Sequence, residues 1–115
     1  MNVPKGAAFM PEGLMLSASD LQTTLDNLMQ DHFSGYLLMS LPQGGKGFVF
    51  LRNGELLRAF ESSSSGTKLF TPERLFAKAG DGAATSSYVL TAEMAETLAF
   101  AFALENASPQ GWKEA

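Results

Sequence analysis

With 115 residues, 45% of them hydrophobic and 17% charged, the chain has the size and composition of one globular domain. Twelve Asp and Glu against eight Lys and Arg leave a net charge of −4 with no basic cluster, and that sign repels both a phosphate backbone and anionic lipid, so neither nucleic acid nor a membrane is an expected partner. Cysteine is absent, which removes disulfides, thiolate metal sites and a cysteine nucleophile.

Residues 1–16 read as an extended N-terminal arm, with Pro4 and Pro11 in it and an edge strand available over Leu14, Met15 and Leu16. The arm lacks the apolar run of a signal peptide. No stretch reaches membrane-spanning length, and a reducing cytoplasm is the expected location. Residues 17–106 read as a single α+β domain, and 107–115, with Trp112, as a tail or the start of a linker.

The domain opens on a helix. Ser19 followed by Gln22 fits a capping box. Leu21, Leu25, Leu28, Met29 and His32 recur at helical spacing, with Thr23, Asp26 and Gln30 elsewhere on the surface. The spacing predicts an amphipathic helix of about three turns, ended by Phe33-Ser34-Gly35. Strands are predicted at 36–41, 46–52 and 55–61, with a glycine turn after Pro42 and the dipeptide Asn53-Gly54 between the second and third. Asn-Gly between apolar runs is the strongest short hairpin signal, because both residues tolerate positive φ.

A two-residue turn fixes the register. It pairs Arg52 with Glu55, Leu51 with Leu56, Phe50 with Leu57, Val49 with Arg58 and Phe48 with Ala59. One face then carries Phe48, Phe50, Leu57 and Ala59, and the other Val49, Leu51, Leu56, Phe60 and the aliphatic stem of Arg58. Both are apolar, so each needs a cover. Residues 61–66, with Ser62, Ser63, Ser64 and Ser65, read as a flexible polar loop. Thr71 caps a short helix with Pro72 at its first position, and Gly80 ends it. A fourth short strand is predicted at 87–90. Thr91 caps a last helix to about Asn106, apolar all round over 98–104. The fold class is therefore α+β: an antiparallel β-meander with an Asn-Gly hairpin, a fourth short strand, and three helices packed on the sheet.

Two segments together resemble a known family. Ser34-Gly35-Tyr36-Leu37 after a leucine-rich helix, then Gly47-Phe48-Val49-Phe50, Asn53-Gly54, Leu56-Leu57 and Ala59, are similar to the motifs of the PATAN-type domain of bacteria, a module often found beside response-regulator receiver domains. The resemblance covers residues 14–60. It implies a signalling context and protein partners, and it brings no catalytic residues.

Candidate chemistry is sparse. His32, the single histidine, ends the first helix, where a cation suits the dipole. No acid or nucleophile motif surrounds it. Gly44-Gly45-Lys46-Gly47 lacks the Ser/Thr and the following helix of a phosphate loop and reads as a hairpin turn. Asp20, Asp26 and Asp31 do not align on one helix face. Arg52 and Glu55 read as a cross-strand ion pair. Most of Met10, Met15, Met29, Met39 and Met94 read as core packing.

The expected function is that of a non-enzymatic signalling or protein-interaction module without cofactors or metals. Dimerisation, or docking on a regulatory partner, is assigned to Leu98, Phe100, Phe102 and Leu104 of the last helix. The alternative is a small-ligand sensor whose apolar pocket is lined by Met39, Phe48, Phe50 and Phe102.

Overall fold

Each helix begins where a hydroxyl can satisfy N–H groups that have no partner in the first turn. A computed structural model of the chain describes residues 7–8, 12–42, 44–64, 66–80 and 82–107, with backbone only for 7–8 and 100–107. In α1 (Ala18–Gln30) the cap is Ser17, whose hydroxyl accepts from the Asp20 N–H at 3.3 Å while the Asp20 carboxylate accepts from the Ser17 N–H at 3.3 Å. The expected Ser19–Gln22 box is thus replaced by one two residues earlier. Asp20 decides the choice, since it returns the second bond and suits the positive end of the helix dipole.

The helix also stops before His32. The His32 N–H donates to the Met29 carbonyl at 3.2 Å and the Phe33 N–H to the Leu28 carbonyl at 3.0 Å. With His32 at φ +56°, this is a Schellman cap, a place usually taken by glycine. Thr71 and Thr91 cap α2 (Pro72–Ala77) and α3 (Ala92–Ala107). The Thr91 hydroxyl accepts from the Met94 N–H at 3.1 Å.

The strands are β1 (Ala7–Ala8), β2 (Leu14–Leu16), β3 (Gly35–Ser40), β4 (Lys46–Arg52), β5 (Glu55–Ser63), β6 (Gly66–Leu69) and β7 (Ala83–Val89). Among the described residues they form one seven-stranded antiparallel sheet in the order β1-β7-β3-β4-β5-β6, with β2 also on β7. The fold is α+β. The first half of the serine run is not loop: β5 continues through Ser62 and Ser63, and β6 pairs back beside it from Gly66. Nor is the strand expected at 87–90 a short one. It has seven residues and lies between β3 and the two N-terminal strands.

Between β4 and β5, Asn53 and Gly54 take φ +51° and +82°. Arg52 faces Glu55 and Leu51 faces Leu56, but Phe50 then faces Arg58. Leu57 is an extra residue, a bulge, and every later side chain changes sides. Val49 pairs with Ala59 and Phe48 with Phe60, so Ala59 and Phe60 exchange the faces expected of them.

The exchange sorts the core by size. On one face Leu37, Met39, Val49, Leu51 and Ala59 meet Leu21, Leu25 and Leu28 of α1 and Leu75 and Phe76 of α2. On the other, Tyr36, Phe48, Phe50, Phe60 and Tyr88 make a bed of rings under Ala95, Leu98 and Ala99 of α3. Neighbouring ring centroids lie 5.2 Å apart for Tyr36 and Phe50 and 5.3 Å for Phe48 and Phe60. Alanine at two successive inward positions lets the helix approach large side chains. Each fully buried large apolar side chain contributes roughly 1.5–3 kcal/mol. No helix among the described residues is long and apolar enough to cross a membrane.

Candidate functional site

The sheet is incomplete along β5. β6 pairs only with its second half, from Phe60 to Ser63. The chain then leaves the ladder: the Phe70 N–H still reaches the Ala59 carbonyl at 2.9 Å, but Thr71 and Pro72 turn away to start α2. Proline offers no N–H to continue pairing and keeps the residue before it extended, as Thr71 is at φ −79° and ψ 153°. Over Glu55, Leu56, Leu57 and Arg58 the outer edge of β5 therefore has no neighbouring strand among the described residues.

An apolar recess of about 260 Å³ lies beside this edge, with Leu56, Ala59, Leu69, Phe70 and Pro72 among its walls. Leu56 is 41% exposed and Leu69 49%, unusual for aliphatic side chains in strands. Lys78 stands at one end, its Nζ 4.9 Å from the Phe70 ring centroid and 3.0 Å from the Glu61 Oε1. The edge itself carries one acid, Glu55, and one base, Arg58. Bare strand N–H and C=O groups can pair with another chain, and a side-chain-sized recess beside them can take an anchor.

A family model described as an uncharacterised protein conserved in archaea (DUF2226) matches residues 1–97. The chain belongs to that family. No curated protein and no solved structure matches it.

Membership in DUF2226 overturns the resemblance to the bacterial PATAN-type domain. The match runs past the motifs of residues 14–60, through α2 and β7 and into α3. Those motifs encode a glycine turn and a tight hairpin with apolar flanks, which unrelated sheets reach through the same turn chemistry.

In this DUF2226 chain the residues singled out from sequence are scattered. His32 is an exposed cap residue with positive φ. Gly44 and Gly45 lie between β3 and β4, where the Leu41 N–H donates to the Gly45 carbonyl at 2.8 Å, and Lys46 is the first residue of β4. Asp20 is spent on its cap, and Asp26 accepts from the Gln22 side chain at 3.0 Å. Among the described residues, no three His, Asp or Glu gather as a metal site needs. Arg52 pairs with Glu96 of α3 rather than with Glu55, because a carboxylate on the covering helix meets the guanidinium on the α3 side of the sheet.

The methionines also depart from expectation. Met39 is buried, but Met15, Met29 and Met94 are at least 37% exposed, and Met10 lies outside the described residues. The expected ligand pocket is not assembled, since Met39 packs on the α1 side and Phe48 and Phe50 on the α3 side. Of the expected interface, Leu98 is half-buried against the rings; the side chains of Phe100, Phe102 and Leu104 lie outside the described residues. The open β5 edge carried no sequence signal of its own: the doublet Leu56-Leu57 lies in a strand apolar on both faces, so the bulge it forms does not stand out.

Proposed function

We propose that this domain is a non-enzymatic protein-interaction module that lends the open edge of β5 to a strand of a protein partner. The observation behind this is the coincidence of an edge without a strand over Glu55, Leu56, Leu57 and Arg58 with an apolar recess beside it. Strand addition draws affinity from main-chain hydrogen bonds and specificity from side-chain pockets, and both parts lie together here. The reading includes the tight Asn53-Gly54 hairpin, whose two-residue turn determines which β5 residues face outward.

Photocrosslinking tests it. A benzoylphenylalanine introduced in place of Leu56 should give protein adducts in cells. The same probe in place of Thr23, exposed on α1, should not. Equal adduct yields at the two positions would count against the edge as a binding surface, and mass spectrometry of the adducts separates self from foreign partners.

A further inference from the structure

We infer that the strand received by the β5 edge is the β5 edge of a second copy of the same chain, related by a two-fold axis beside Leu56. The inference rests on the interaction reading above and names its partner. The backbone comes first. Across a two-residue turn the flanking residues, Arg52 and Glu55, are the pair that exchange hydrogen bonds, so the N–H and C=O of the next residue, Leu56, point away from β4. Two antiparallel edges that meet at Leu56 satisfy both of those groups reciprocally.

The side chains then match. Leu56 faces Leu51 and so shares the α1 and α2 side of the sheet. The recess runs along this edge, with Leu56, Ala59, Phe70 and Pro72 among its walls, and Leu56 of the second copy falls beside it. Glu55 precedes Leu56 and shares the α3 side with Arg52 and its partner Glu96. Beyond Leu56 the bulge folds Leu57 and Arg58 into one ladder position, with Arg58 opposite Phe50 on the α3 side.

Each Glu55 therefore meets Arg58 of the other copy, on the same face, twice. In a regular strand, residues three apart point to opposite faces and this match would be lost. Bulges commonly guard edges against pairing; this one aligns the two charges. The patch is self-complementary, as a two-fold interface requires. A partner with like charges at those positions would be repelled.

Sedimentation equilibrium of the full chain at rising concentration provides the test. A concentration-dependent dimer of the 12.3 kDa chain is expected. Glu55→Arg and Arg58→Glu should each weaken it by at least about tenfold, and the double variant Glu55→Arg/Arg58→Glu should restore it. Circular dichroism checks that each variant is folded. A folded wild type that stays monomeric into the millimolar range overturns the inference. So does a dimer indifferent to all three variants, or one that Met94→Glu on exposed α3 surface dissociates while they do not. Photoadducts at position 56 with a foreign protein, alongside a monomeric wild type, would overturn the second copy and leave the interaction reading standing.

Discussion

Replacing Gly54 with alanine asks how firmly the tip of the β4–β5 hairpin is wedged. Gly54 has φ +82°, and a Cβ there would lie 2.4 Å from the Met29 carbonyl oxygen and 3.1 Å from the His32 Cα. Both obstacles are backbone at the end of α1, so the tip must lift. Lifting strains the bonds from the Gly54 N–H to the Phe33 carbonyl and from the Asn53 N–H to the Ser34 hydroxyl, each 2.9 Å long. Those bonds are worth about 1 kcal/mol each, and alanine in left-handed backbone costs about another 1 kcal/mol. The sum is a loss of about 3 kcal/mol. Gly80 supplies the control: its φ is +57° and a Cβ there meets nothing within 4 Å. Gly80→Ala should therefore cost only the backbone term, about 1 kcal/mol. Urea unfolding followed by circular dichroism, extrapolated linearly to water, measures both. Equal losses would refute the wedge, and a Gly54→Ala loss under about 1 kcal/mol would refute the tight positive-φ turn itself.

Other perturbations have clear signs. His32→Gly should raise stability by about 0.5–1 kcal/mol, since glycine takes the left-handed cap without strain; a fall in the urea midpoint would contradict the cap. Ser87 is fully buried, and among the described residues its hydroxyl has no hydrogen-bond partner, so Ser87→Ala should be neutral or stabilising by about 1 kcal/mol. A loss of that size would point to a bond the hydroxyl makes. A double-mutant cycle on Arg52 and Glu96, both about 40% exposed, should give a coupling below about 1 kcal/mol that shrinks with salt. A salt-independent coupling above about 2 kcal/mol would mean a desolvated pair. Phe50→Ala, at the centre of the ring bed and fully buried, should cost about 3–5 kcal/mol in thermal or urea unfolding.

The helices were the most legible part of this sequence, because leucines at helical spacing and Thr71-Pro72 leave few alternatives. Their ends were less so. Two serines two residues apart both offer a cap at α1, and only the acid three residues after Ser17 distinguishes them. The sheet was legible in content and misread in register. One extra residue at Leu57 moves Phe60 beneath α3 and Ala59 beneath α2, and alternation cannot show a bulge when both faces are apolar. β6 was hidden because Gly66, Thr67 and Lys68 look like loop; its partner strand, not its own propensity, holds it in the sheet. β7 was hidden for a related reason. Ala83, Thr85 and Ser87 are small, and they share the face of Met39 and Leu37. Their lack of bulk, which reads as weak strand, suits a strand in the interior of a covered sheet. The open edge at Leu56 was not legible at all, since it exists only because β6 stops short.

The position of β7 also governs the order in which the sheet can be completed. β1 and β2 pair with β7 alone, and β3 has β4 on one side and β7 on the other. β7 is the last strand among the described residues. During synthesis the two N-terminal strands have no ladder to join, and β3, carrying buried Tyr36, Leu37 and Met39, presents a bare apolar edge until Val89 has emerged. The β3–β6 meander can close on itself early, since its pairings are local. The final step inserts one strand between two waiting edges, and the nascent chain is most open to wrong pairing just before it.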